Sequence, residues 1–320
     1  METIIQPVER NLLKSELTQE CFVRDTNKAE NRIYIVDAHC APNVMREIGR
    51  LRELSFRSSS GGTGSSCDID VFDTMSVPYR QIVVWNPDAE EIVGGYRFIH
   101  GRDVTLKPNG QPNMAIEHLF DFSPEFLQNY LPQTVELGRA FVQPKYQSLQ
   151  MGSKSIFALD NLWDGIGALI GVCDDLKYLI GKVTIFSAMK TVARNAILYF
   201  LDDAFGDRRG LLTPKAGMKV TLPSADSERF QILFNGNSYK ENLKLLNNFV
   251  RSEGEVIPVL IRAYIELSST MRTFGTCLDD DFGHIYDTGM MVTIADIYPI
   301  KRERYIGTFL QSDKSVENIL

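Results

Sequence analysis

The chain has 320 residues, 44% hydrophobic and 23% charged, with a formal net charge of −7. This is the composition of an ordinary globular protein long enough to bury a sizeable core. It excludes a general nucleic-acid binder, which needs a basic surface to neutralise phosphate, and no apolar run approaches the roughly 18 residues of a membrane-spanning helix. The five cysteines (Cys21, Cys40, Cys67, Cys173 and Cys277) are scattered, with no C-x-x-C pair and no metal-ligand spacing. That pattern fits a reducing cytoplasm and implies no metal site.

Met1 to Leu17 alternates charged and apolar residues without the apolar centre of a signal peptide, and residues 7–17 pattern as a short amphipathic helix. Arg32 to Asp37 reads as a strand. The Pro42-Asn43 turn then caps a helix from Val44 to about Arg57. At about 100° per residue, Arg46, Arg50 and Arg57 form one basic stripe on that helix. Arg52 falls among the apolar residues, where it either snorkels at a core edge or faces a polar cavity. The run SSSGGTGSS at 58–66 is expected to be a flexible loop or a mobile lid. The acids Asp68, Asp70 and Asp73 that follow suit a solvated turn or an arginine-binding cluster better than a metal.

Gln81 to Trp85 and Glu91 to Ile99 form a hairpin around Asn86-Pro87-Asp88, with Arg97 inside the second strand. A helix near Pro124 to Tyr130 precedes the strand Val135 to Pro144. A helix from about Lys154 to Cys173, a strand at Tyr178 to Phe186 and a helix from about Ser187 to Phe205 come next. Met218 to Leu222 and Phe230 to Phe234 read as strand-like. Helices are expected over Tyr239 to Ser252 and Val256 to Phe274, and a late strand over Asp287 to Ile297. This order predicts an α/β (α+β) fold with a mixed sheet. It is laid out as a single domain with a core at about 30–205, a helical insertion at about 206–274 and closing strands at about 275–306.

The strand Val135 to Pro144 carries two charges, Glu136 and Arg139, in a mostly apolar run. Three residues apart, they should point to opposite faces. Buried charges persist when paired or when used, so a structural ion pair and a catalytic acid or base in a cleft are both open.

Taken together, these elements and motifs resemble the GNAT acyltransferase superfamily. Arg52 with Phe56, Asp70 with Asp73, Arg97, and Glu136 with Arg139 are similar to the charged pattern of its acyl-homoserine-lactone synthases, although the tryptophan of that pattern is absent. A closer resemblance is to bacterial ornithine- and glycine-lipid N-acyltransferases, often labelled haemolysins. It rests on Glu136-Leu137-Gly138-Arg139 running to Pro144 and Tyr146, and on Leu162-Trp163-Asp164-Gly165-Ile166. It continues through Leu260 to Leu267, Asp279 to Phe282, Asp287 and Arg304-Tyr305, and covers roughly 30–306.

The resemblance implies a mostly antiparallel GNAT-like sheet flanked by helices. The implied enzyme moves a (3-hydroxy)fatty acyl group from a phosphopantetheine thioester to the amine of an amino acid such as glycine or ornithine, in aminolipid synthesis. No cofactor is held permanently. The phosphate loop of acetyl-CoA enzymes needs a glycine that Gln147 to Gly152 lacks at its first required position. Acyl carrier protein is therefore the expected donor and partner, with acyl-CoA the alternative. Arg46, Arg50, Arg57 and Lys145 would form its docking patch. Glu136 is expected as the general base and Arg139 beside it in the site. Arg52, Phe56, Asp70, Asp73 and Arg97 would shape the acceptor site. Phe141, Val142, Gln143 and Trp163 would lie along the pantetheine and acyl chain, with free backbone N–H groups near 141–143. The place implied is cytoplasmic, with peripheral contact with the inner membrane. The rivals are an acetyl-CoA-dependent acetyltransferase, a lactone synthase and a non-enzymatic haemolysin.

Overall fold

The computed structural model describes residues 1–147, 153–236 and 238–311, with side chains omitted for 153–156. The described strands, in chain order, are β1 (Phe22–Asp25), β2 (Arg32–Val36), β3 (Arg80–Asn86), β4 (Glu91–His100), β5 (Phe120–Phe122), β6 (Thr134–Val142), β7 (Tyr178–Ile185), β8 (Leu212–Pro214), β9 (Arg272–Asp279) and β10 (Ile285–Thr293). The helices are α1 (Arg10–Glu16), α2 (Pro42–Arg57), α3 (Val71–Thr74), α4 (Pro124–Asn129), α5 (Ser153–Val172), α6 (Thr191–Phe205), α7 (Ser224–Leu233), α8 (Tyr239–Ser252) and α9 (Val259–Ile265), before a C-terminal helical run that begins at Pro299. The architecture is mixed α/β, and every registered strand pair is antiparallel.

The chain divides into two compact units. One holds Met1–Val104, Gln133–Lys177 and the run from Tyr298; the other holds Thr105–Pro132 and Tyr178–Ile297. In the first, β1, β2, β3, β4 and β6 pair in that order. The apolar face of α2 (Val44, Met45, Ile48 and Leu51) packs in one cluster with Tyr34, Val36, Val83, Trp85 and Phe141 of the sheet. Pro42 sits in the first turn of α2, where its missing N–H costs nothing, so the helix starts two residues earlier than expected. In α5, a Cβ at Gly167 would collide with the carbonyl oxygen of Tyr305. Gly167→Ala should therefore destabilise the protein by about 1–3 kcal/mol, the usual cost of overpacking, which urea denaturation would show.

In the second unit, β10 lies between β7 and β9, and β5 pairs with β8. Here three expectations fail. Met218 to Leu222 forms no strand and makes only the isolated bridge of Lys219 to Cys277. Phe230 to Phe234 is not a strand: Phe230 lies in α7, fully buried, and contacts Tyr199, Phe234 and Phe249 in an aromatic cluster. The helix expected to Phe274 stops with α9, and Arg272–Asp279 forms β9 instead. Thr273, Phe274, Thr276 and Cys277 have the β-branched and apolar types that suit a ladder. The segment 206–274 carries β8, α7, α8 and α9, all within this unit.

Candidate active site

The site begins with a break in a ladder. β4 and β6 pair regularly through Ile99↔Glu136 and Arg97↔Gly138, then resume at Gly95↔Phe141. Two steps along β4 thus face three along β6, so β6 carries a bulge of one extra residue. Arg139 sits in it with φ +48°, in the left-handed region that a non-glycine side chain enters at some cost. The extra residue reverses the alternation of sides. Glu136 shares the sheet face of its partner Ile99 and of Arg97, and Arg139 reaches Asp70, which also binds Arg97. The expectation that the two charges point apart is overturned by that bulge.

Three arginines and three aspartates interlock there. Arg52, with no exposed surface, donates to Asp73 at 3.0 Å, to the backbone carbonyl of Asp68 at 3.4 Å and to Gln81 at 2.6 Å. Arg97 donates to Asp70 at 2.7 Å and to Asp73 at 3.3 Å, and its guanidinium lies 5.8 Å from the Phe72 ring and 5.2 Å from that of Tyr79. Arg139 meets Asp68 at 3.0 Å and Asp70 at 3.7 Å. The acids are placed by a capping box. Asp70 accepts from the N–H groups of Phe72 and Asp73, and Asp73 accepts from the N–H of Asp70. Arg52 therefore faces a polar interior, and Asp68, Asp70 and Asp73 form an arginine-binding cluster.

Charges follow from this packing. Burial alone would raise the Asp73 pKa, but Arg52 and Arg97 hold it down to about 2. Burial likewise disfavours the Arg97 cation, and Asp73 and Asp70 more than offset it, so its pKa is raised. For Arg139 burial prevails over Asp68 and Asp70, and its pKa is lowered. A carboxylate whose pKa falls on folding stabilises the protein fully above its unfolded value of 3.8, and that contribution drains away as pH falls towards 2. Thermal melts should thus show a smaller stability loss between pH 4 and 2 for Asp73→Asn than for the unmodified protein.

Glu136 is buried, and the phenol of Tyr79, itself without exposed surface, donates a short hydrogen bond to its carboxylate. Tyr79 carried no sequence signal beyond its place just before β3. Gln81, which donates to Asp73 at 3.1 Å and binds Arg52, was equally silent.

The remaining predicted residues divide. Phe56 packs partly buried against the α2 cluster, and Phe141 lies inside it. Trp163 is buried and stacks on Tyr305 with centroids 5.9 Å apart, a core contact. Gln143 does not offer a free N–H, because it donates to the Val93 carbonyl at 2.8 Å. The carbonyl of Val142 accepts from Ser55 and Gln147. The segment Ser148 to Gly152, where acetyl-CoA enzymes carry their phosphate loop, lies outside the described residues. The basic docking stripe needs correction. Arg50 is tied to Glu47, Arg57 to Glu53 and Lys145 to Glu91, while Arg46 is exposed. The Ser/Gly run is no free lid either. Glu53, fully buried, accepts from the N–H and hydroxyl of Thr63 and from the N–H of Gly64. The His100 ring accepts from the Arg102 N–H at 3.1 Å and faces Asp175 at 3.4 Å, which makes it structural.

Residues 51–154, which run from the last turns of α2 through the acid cluster and β6, match the family model described as "Acetyltransferase (GNAT) domain". A glycine N(alpha)-acyltransferase of Bacteroides thetaiotaomicron is 50% identical over 312 residues, 98% of this chain and 92% of that protein. This chain is a GNAT-type N-acyltransferase of that enzyme's family. A second glycine N(alpha)-acyltransferase, from Phocaeicola vulgatus, is 47% identical over 311 residues, 97% of this chain and 94% of its relative. Among solved structures, a CoA-dependent acyl-homoserine lactone synthase with SAM and isopentyl-CoA overlays on 88% of the acyltransferase and 91% of its own chain, at 11% identity and a TM-score of 0.33. No described helix is long and apolar enough to cross a membrane, and no group of three or more His, Cys, Asp or Glu among the described residues is arranged to hold a metal ion.

Proposed function

We propose that the acyltransferase moves a fatty acyl group from a phosphopantetheine thioester to the α-amine of glycine, a step of aminolipid synthesis. The observation that carries this is identity of 50% and 47% to two glycine N(alpha)-acyltransferases along nearly the whole chain. The amine nitrogen attacks the thioester carbonyl, the C–N bond forms and the C–S bond breaks. The ammonium first gives up one proton so that the amine arrives neutral, and after attack the nitrogen loses a second, which the departing thiolate takes up.

Glu136 takes the role of base, directly or through water. It is a buried carboxylate on the face of the charged network, with Tyr79 fixing its orientation. The arginine–aspartate network holds the bulge and α3 in place beneath it. Arg139 is a positioning residue in this scheme, since its charge is met by Asp68 and Asp70. Phe141 and Val142 remain the residues assigned to the pantetheine arm. The donor is assigned as acyl carrier protein, on the missing glycine of the 147–152 segment and on the acidic character of such carriers, which suits exposed Arg46. The amphiphilic product gives the enzyme a reason to work at a membrane surface.

The test is mass spectrometry of lipids from cells with and without the protein. N-acylglycine lipids should appear only with it. Unchanged lipid profiles would overturn the proposal, and an N-acylated amino acid other than glycine would correct the acceptor.

A further inference from the structure

Residues 2–5 run alongside the Ser/Gly stretch at 58–66. The N–H of Glu2 donates to the Gly64 carbonyl at 2.8 Å and that of Ile5 to the Ser66 carbonyl at 3.0 Å. The Glu2 carboxylate accepts in turn from the Ser66 N–H at 2.7 Å. Arg57, in the last turn of α2, ties the two stretches together. It donates to the Glu2 carbonyl at 2.7 Å, to the Ser65 carbonyl at 2.6 Å and to Glu53 at 2.7 Å. Glu53 has no exposed side-chain surface and also accepts from Thr63 and Gly64. One guanidinium therefore joins α2, residues 63–66 and residues 2–5. Gly62 and Gly64, at φ +106° and +78°, let the stretch turn over that buried carboxylate.

The stretch so fastened runs straight into the acid cluster, with Cys67 alone between Ser66 and Asp68. Asp68 donates its N–H to the Gly49 carbonyl of α2 at 3.0 Å, and its carboxylate meets Arg139 at 3.0 Å. A Cβ at Gly49 would lie 2.6 Å from Cys67 Sγ, so this part of the chain rests directly on the helix. Arg139 keeps its positive φ, a conformation that persists only where the surroundings over-determine it. Asp68 and Asp70, which pair with it, both lie just downstream of the fastened stretch. A Ser/Gly run left loose behaves as a flexible coil, and its freedom would pass to Asp68. Exposed arginine–carboxylate pairs contribute little to stability. Arg57 and Glu53 make a different kind of pair, because one is 17% exposed, the other is fully buried, and both also bind backbone of the run.

We propose that Arg57 is a positioning residue for acyl transfer: with residues 2–5 as a strap, it holds residues 63–66 so that Asp68 keeps Arg139 in the bulge beside the assigned base. The inference rests on the role of Glu136 proposed above and extends the machinery to a stretch of chain that touches no reacting atom. Loss of the strap loosens Asp68, lets the bulge relax and misaims the base. A remote change that misplaces a catalytic group by about 1 Å costs up to about a hundredfold in rate.

Two measurements on two variants test this. Arg57→Gln removes the guanidinium. Ile5→Pro removes the N–H that the Ser66 carbonyl accepts and leaves Arg57 paired with Glu53, so it tests the strap even where Arg57→Gln unfolds the chain by stranding the Glu53 charge. Hydrogen exchange needs no substrate. In either variant, amides of residues 63–70 and also of 137–141 should exchange faster by about tenfold or more, with β2 and β3 as protected as before. Steady-state kinetics should show kcat down by about tenfold to a hundredfold, with KM for glycine and for the thioester donor within about twofold. Faster exchange confined to 63–70, or a lowered melting temperature with kcat unchanged, would make the strap merely structural and overturn the proposal. Faster exchange at 137–141 in a protein that transfers no acyl group would uphold the coupling of strap to bulge and sink the proposed reaction.

Discussion

Glu136→Gln is expected to fold as the unmodified protein does and to lose acyl transfer by about a hundredfold or more, the usual contribution of a positioned general base being about 10²–10⁴. The fold should survive because the amide oxygen of Gln accepts the Tyr79 hydrogen bond as the carboxylate does. The transfer should not survive, because an amide cannot take the amine's proton. The loss should appear in kcat, with KM for either substrate little changed, since the substitution removes a proton acceptor and leaves the surfaces intact. Rate measurements with a melting curve on the same sample decide it. A variant that keeps its rate and loses only thermal stability would make Glu136 a structural charge.

Arg52→Ala is expected to cost about 3–5 kcal/mol of stability, the range for removing one member of a buried ion pair. The guanidinium serves Asp73, the Asp68 carbonyl and Gln81 at once from a position with no exposed surface. Its loss leaves a buried carboxylate and two buried polar groups short of donors. Arg52→Lys should recover little of this, because one ammonium cannot span the three acceptors that the planar fork reaches. Urea denaturation of the two variants tests the claim. A change below 1 kcal/mol in Arg52→Ala would mean the network is dispensable to the fold.

These outcomes depend on features that sequence shows unevenly. Charges misplaced in apolar patterns are visible: Arg52 on the wrong side of α2, Arg97 in β4 and Glu136 with Arg139 in β6 all pointed to one cluster, and the structure brings the arginines to the aspartates of 68–73. The bulge was invisible. Positive φ is usually signalled by Gly or Asn, whereas here Arg139 holds it through two ion pairs made far away in sequence. Tyr79 was silent for a related reason, since a lone tyrosine before a strand gains meaning only when the ladder lays it across Ile99 towards Glu136. Glu53 carried no signal of its own within the helix pattern, and the SSSGGTGSS run that it pins looked mobile. Their attraction is local chemistry at a separation no periodicity encodes. The basic stripe differs: its partners Glu47 and Glu53 lie three and four residues away on the same helix, a spacing the helical period does encode. In the second unit, the transition from α9 to β9 was masked by apolar residues compatible with either period.

The most direct test is a reaction in a tube: purified protein, isotopically labelled glycine and a 3-hydroxyacyl thioester on either acyl carrier protein or CoA, analysed by mass spectrometry. The account predicts labelled N-acylglycine, formed faster from the carrier protein and abolished by Glu136→Gln. Thioester hydrolysis with no labelled amide from either donor would contradict it.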